Sequence, residues 1–265
     1  MEDLIITIVM KIREKQKRIG GRKLLSLVNP LIPNGEEIGR DAFFDLLRRN
    51  GMLVRKRRIR AYTTDSFHWL HKYPNLIKEF VVQKPHQLWV SDITYIKTAA
   101  GFVYLYLITD AYSRKIVGWH ISETMEAQNA LEALYMALSQ LPASAKEIIH
   151  HSDRGIQYCS SKYVSCLQKH GISISMTEHS DPYENAIAER VNGILKTEWL
   201  YDIKLKDCAE ARKVVREIIN IYNAERPHSS IEMLTPNQAH QMTGVLKRLW
   251  KTYKRKKKTE IMVEI

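Results

Sequence analysis

Between residues 88 and 176 the apolar residues change their period in a way that fixes the architecture. Three strand-like runs stand in a row: Leu88 to Ile96, Phe102 to Thr109 and Lys115 to Ile121. The first two are joined by a turn at Ala99-Ala100-Gly101, and the third is reached through Ala111-Tyr-Ser-Arg114. Helix and strand then alternate: an amphipathic helix over 126–140, a strand over 147–151, a helix over 160–170 and a fifth strand over 172–176. Two further helices are predicted over 185–200 and 207–224. Strands that follow one another directly pair as hairpins, and strands separated by helices return in parallel. The pattern therefore predicts an α/β protein with one mixed five-stranded sheet and flanking helices. No internal repeat is present.

At 265 residues, folding buries roughly 70–75% of the unfolded surface, so the core needs no metal or disulfide staple. The three cysteines, Cys159, Cys166 and Cys208, are odd in number and lack CxxC spacing. They read as small core hydrophobes in a reduced, intracellular chain. No apolar run reaches the ~18 residues of a membrane span, and no secretory signal is expected.

The net charge of +12 is unevenly spread. Residues 1–85 carry +9, residues 86–200 carry −3 and residues 201–265 carry +6. Basic flanks around an acidic centre fit a polyanion tracked by the flanks and cations held in the middle. The run Lys247 to Lys258 holds eight basic residues in twelve and reads as a basic tail over 241–265. Trp250 and Tyr253 within it suit either base stacking or packing of a helix end.

Upstream, helical spacing appears over 3–17, 22–28 and 36–50, broken by Gly20-Gly21 and by Pro33-Asn34-Gly35. Two short helices around a turn predict a small all-α helix-turn-helix region over 1–60. Arg55, Lys56, Arg57 and Arg58 follow it as a DNA-backbone-contacting arm. Residues 61–84 read as a linker to the sheet domain, taken as 85–240 with its C-terminal helices.

Three carboxylates stand out. Asp92 interrupts an apolar, aromatic strand, where a carboxylate is costly unless paired, hydrogen-bonded or bound to metal. Asp153 lies just past a strand end, where open α/β sheets place ligands. Glu189 shares one helix face with Asn185, Asn192, Gly193 and Lys196. On that face Gly193 would let another backbone approach. Each acid alone also suits a structural role: a partner for a buried Arg, a turn residue, an exposed helix charge. Asp110 likewise ends a strand, and the turn before Ser113-Arg114 accounts for it. Three acids on a strand, a strand end and a helix can converge on a cleft, and oxygen-only ligands suit Mg²⁺ or Mn²⁺.

Around these acids the sequence resembles a known family. Trp89-Val-Ser-Asp92-Ile-Thr-Tyr95 with Thr109 to Arg114 and Val117-Gly-Trp119, His151-Ser-Asp153-Arg-Gly-Ile-Gln-Tyr158, and Pro182 to Glu198 resemble the three motifs of the retroviral-integrase-type DDE core. Asp153 and Glu189 are separated by 35 residues, as in the DDE signature, and Lys196 matches the family's basic position. Tyr222-Asn223, Arg226-Pro-His228-Ser-Ser and Thr235-Pro236 resemble the C-terminal signature of bacterial insertion-sequence transposases, most closely the OrfB type of insertion sequence family three. Glu184 stands where many members have Asp, and the zinc-binding N-terminal domain of retroviral integrases is not expected, since only His68 and His71 precede residue 85.

The resemblance implies an RNase H-like fold and a Mg²⁺-dependent transposase using two ions per site, with Asp92 bridging them and Asp153 and Glu189 each holding one. It implies cleavage of DNA at element ends, then strand transfer by the exposed 3′-OH. Lys196 would hold a DNA phosphate or terminal base, and Tyr183 and Asn185 would position terminal nucleotides. Implied partners are element-end and target DNA, further copies of the chain, and an upstream-frame helix-turn-helix protein, fused or separate. The implied setting is the bacterial cytoplasm at the nucleoid. An RNase H-like nuclease and a silent DNA-binding regulator are the rival functions.

Overall fold

The computed structural model describes residues 1–55, 69–178, 185–247 and 249. The chain opens with three helices: α1 (Glu2–Lys15), α2 (Gly21–Val28) and α3 (Arg40–Arg49). Their apolar positions, Ile5, Val9, Leu24, Val28, Phe43, Leu46 and Leu47, close on one another as a separate core. Helix α3 starts four residues later than spacing alone predicts. The Asn29 side chain holds Ile38 through both its backbone groups, at 3.3 Å each, which keeps residues 36–39 extended until Gly39 caps the helix.

Strands β1 (Leu88–Thr98) and β2 (Gly101–Asp110) form a hairpin, and β3 (Ile116–Ser122) lies antiparallel to β2. Helix α4 (Ala127–Ser139) leads to β4 (Ile149–Ser152), and helices α5 (Ile156–Cys159) and α6 (Ser161–Lys169) lead to β5 (Ser173–Met176). Both returning strands run parallel to their neighbours, so the order is β3-β2-β1-β4-β5. Helices α7 (Ala186–Glu198), α8 (Cys208–Glu225) and the short α9 (Pro236–Ala239) complete the chain. The mixed five-stranded sheet with flanking helices is the architecture the sequence implies.

Both faces of the sheet are covered, which is why β2 reads as an unbroken apolar run. Tyr106 and Ile108 point into the core under α4 and α6, while Leu105 and Leu107 point into the core under α7 and α8. Helix α4 lies so close to β3 that a Cβ at Gly118 would stand 2.2 Å from the Ala133 carbonyl oxygen. Cys159 is buried in the first core, and Cys166 and Cys208 are half-buried free thiols.

The described part of the stretch read as a linker is docked rather than free. The Met176 amide donates to Pro74 O at 3.3 Å, and the Leu76 amide donates to Ser175 Oγ at 2.9 Å. Ile77 and Val82 pack against Leu88, Val90, Ala111 and Ala188. The beginning of the basic tail is also tied down, through the Gly244 amide to Gln83 O at 2.7 Å. Trp250, Tyr253 and the cationic run beyond Leu249 lie outside the described residues. Among the described residues, no helix is long and apolar enough to cross a membrane.

Candidate active site

Register brings the first two acids together. Val90 of β1 pairs with His151 of β4 in parallel, so continuing both strands sets Asp153 level with Asp92. The two diverge locally in how they are held. Asp92 Oδ1 accepts from the Ile93 amide at 2.9 Å and Oδ2 from Asn192 Nδ2 at 2.7 Å. Asp153 Oδ1 accepts from the Gly155 amide at 3.0 Å, and a Cβ on Gly155 would sit 3.0 Å from that same oxygen. Gly155 thus permits the tight turn that presents Asp153.

Helix α7 delivers the third acid and is pinned to β1 directly. Asn185, its N-cap, is buried and donates to Ser91 O at 3.0 Å. Glu189, Asn192 and Lys196 follow on the same face. Asn192 grips Asp92, and Lys196 Nζ lies 4.2 Å over the Tyr95 ring. The expected approach of a second backbone at Gly193 is not found in this chain: nothing lies within 4 Å of a Cβ built there, because α7 packs through Val191, Ile194 and Leu195 instead.

Electrostatics tie the three acids into one site. Burial raises the Asp92 pKa to about 7, aided by the charges of Asp153 and then Glu189 and opposed by the bonds from Asn192 and Ile93. Glu189, exposed at the helix surface, is also raised, by partial burial first and Asp153 second. Burial lowers the Lys196 pKa, and the Asp92 charge partly restores it. Among the described residues, no three carboxylates, imidazoles or thiols stand close enough to hold an ion as they are. The donor set nonetheless suits a hard divalent cation: oxygen ligands only, near enough for Asp153 and Glu189 to act on Asp92, and partly desolvated.

Beneath Asp92 lies a network that sequence reasoning missed. Ser91 Oγ and Tyr163 Oη approach His150 Nε2 at 2.7 and 2.9 Å. Burial first, and His151 second, push the His150 pKa down to about 3, so its ring is neutral. Strand alternation places Ser91 and His150 on the sheet face under α4 and α6, but nothing in the sequence pairs β1 with α6.

The Arg226-Pro-His228 motif has an architectural place. Arg226 is fully buried, donates to both Glu198 carboxylate oxygens at 2.8 and 2.6 Å, and donates to His228 Nε2 at 2.9 Å. It therefore fastens the end of α8 to the end of α7. Asp110 is also buried and accepts from the His86 amide, the Ser113 amide and Ser113 Oγ, in keeping with its reading as a turn residue. Arg55 is exposed in the N-terminal unit, its carbonyl accepting from Arg18. Tyr183, Lys56, Arg57 and Arg58 lie outside the described residues.

With this geometry in place, comparison with known proteins defines the class. Two integrase core domain models match the chain, over residues 82–182 and 170–236. The chain is 37% identical over 225 residues to the insertion element IS600 uncharacterized 31 kDa protein of Shigella sonnei, covering 82% of both chains. It is 35% identical over 194 residues to transposase InsF for insertion sequence IS3A of Escherichia coli strain K12, covering 72% of this chain and 67% of that one. Its fold is similar, at a TM-score of 0.52 and 17% identity, to a chain of the simian T-cell lymphotropic virus intasome in complex with PP2A regulatory subunit B56 gamma. That match covers 95% of this chain and 80% of that one. Fold and motifs together define an integrase-core protein. More narrowly, the chain belongs to the IS3 family of bacterial insertion-sequence transposases, which are polynucleotidyl transferases.

Proposed function

We propose that this chain cuts DNA at the ends of an insertion sequence and joins them to target DNA, with Asp92, Asp153 and Glu189 as the catalytic carboxylates. The observation that supports this reading is the register that brings the end of β4 level with Asp92, together with the Asn192 bond that holds the Glu189 face of α7 against it. The three carboxylates would hold two Mg²⁺ or Mn²⁺ ions, which supply Lewis-acid stabilisation of the attacking and leaving oxygens.

The chain's own groups prepare that site. Asn192 fixes the rotamer of Asp92, and Asn185 sets the distance of α7 from β1. Lys196 offers a cation to a DNA phosphate, and Tyr183 precedes the helix where terminal nucleotides would lie. In the first step water attacks a phosphodiester and the P–O3′ bond breaks at the element end. In the second, the freed 3′-OH forms a new P–O bond as a target P–O3′ bond breaks. No covalent protein intermediate is needed, and the hydroxyl nearest Asp92 in sequence, Ser91, is fully buried against His150. The N-terminal helices, with Arg55 to Arg58, are assigned to DNA binding, and joining two ends requires at least two copies. An upstream-frame partner, fused or separate, would supply further DNA contacts.

The test is a labelled oligonucleotide carrying the element's own end, run with Mg²⁺ and with EDTA beside Glu189→Gln. Nicked and joined products that need metal and vanish in the variant are expected. Nicking without joining would replace the reading with a nuclease. DNA binding without any cleavage, also in the upstream-frame fusion, would replace it with a regulator.

A further inference from the structure

Strand β1 runs well past its neighbour. Strand β4 pairs only with Leu88, Trp89 and Val90, so the half of β1 from Asp92 to Thr98 has β2 on one side and no strand on the other among the described residues. Along that half, Tyr95 is 40% exposed and Phe102, on β2, is 55% exposed. Tyr95 pairs with Tyr104, and Lys97 with Phe102, which places all four side chains on one face of the hairpin. The Tyr95 and Phe102 rings meet edge to face with centroids 5.5 Å apart. Neither is among the residues of the two sheet cores. Lys196 reaches across from α7 to the Tyr95 ring, and it comes from the helix that carries Glu189. Lys97 adds a second exposed cation beside Phe102.

The geometry points to a stacking platform for an unpaired nucleotide. A base would stack on one of these two perpendicular rings and abut the other, with its phosphates facing Lys97 and Lys196. Aromatic rings flanked by lysines match a single-stranded nucleic acid in shape and charge, since every base has a π-face and every linkage a negative charge. Lys196, which lies over the Tyr95 ring, is also within reach of the Asp92 charge, so the stacked nucleotide would be one splayed from the duplex near the reacting phosphodiester. This inference rests on the proposed DNA chemistry and adds to it the recognition of an unpaired flank.

The full chain would be mixed in EDTA with an element-end duplex whose short unpaired flank carries 5-iodouracil, irradiated, and the crosslinked peptide mapped. The expected crosslink falls on Tyr95 or Phe102. The double substitution Tyr95→Ala with Phe102→Ala should lose it and bind the forked DNA about tenfold more weakly, with binding to fully paired duplex kept. Tyr95→Phe should retain both. Unchanged affinity for forked DNA in the double variant, or a crosslink elsewhere, overturns the platform. So does a wild-type dimer that the double variant makes monomeric, because a second copy would then cover the face. Crosslinking with no strand transfer in a parallel Mg²⁺ reaction, by this chain or by the upstream-frame fusion, would overturn the catalytic reading and leave the platform standing. Strand transfer without the crosslink would do the reverse.

Discussion

Asp92 shows what a single residue costs this fold. Its carboxyl titrates near pH 7 in the folded chain against 3.8 as a free side chain. The folded state therefore binds more protons than the unfolded state between those values. Stability is full below about pH 3.8 and is lost as pH rises through about 7. Asp92→Asn removes that loss, so in EDTA at pH 8 it should resist urea better than wild type, by on the order of 2–4 kcal/mol. Strand transfer should vanish in the same variant. Equal urea midpoints would show that Asp92 is not desolvated as described. The positions of the three acids on a strand, a strand end and a helix were legible in the sequence, since a carboxylate in an apolar strand and the helical spacing around Glu189 are local signals. The Asn192 bond to Asp92 and the Ser91–His150–Tyr163 network were not. Both join residues far apart in the chain, and only the tertiary register creates them.

At the scale of elements, periodicity located all five strands and the main helices, because each buries a face of regular period. Boundaries slipped where a side chain overrode the pattern, as Asn29 does in delaying α3. The docking of residues 74–82 was illegible for a related reason: an extended segment bound through its backbone leaves no hydrophobic period. The sequence gives equally little warning of how closely β3 and α4 approach. Only a residue without a side chain fits at Gly118, where an added Cβ would strike helix backbone. Gly118→Ala should force α4 off the sheet and cost roughly 1–3 kcal/mol, as overpacking does. Thermal unfolding checks it, and an unchanged Tm would mean that α4 shifts freely.

Over the whole molecule, the sequence divided the chain into a helical N-terminal region and a sheet domain but gave no hint of how they meet. The meeting is made by scattered polar groups that follow no pattern. Trp199 Nε1 donates to Lys15 O at 2.7 Å, Lys15 Nζ pairs with Glu225 at 2.8 Å, and Gln16 Nε2 donates to Glu225 O at 3.2 Å. All three join the C-terminal end of α1 to the far ends of α7 and α8. Were the N-terminal helices to grip DNA as proposed, this seam would act as a ruler, setting how many base pairs separate the gripped segment from the phosphodiester to be cut. Loosening the seam with Trp199→Phe and Lys15→Ala should spread cleavage over neighbouring positions with the chemistry itself intact, visible as a ladder in place of one band on a sequencing gel. The precision of an element's ends would then be a mechanical property of the protein rather than of the letters it reads.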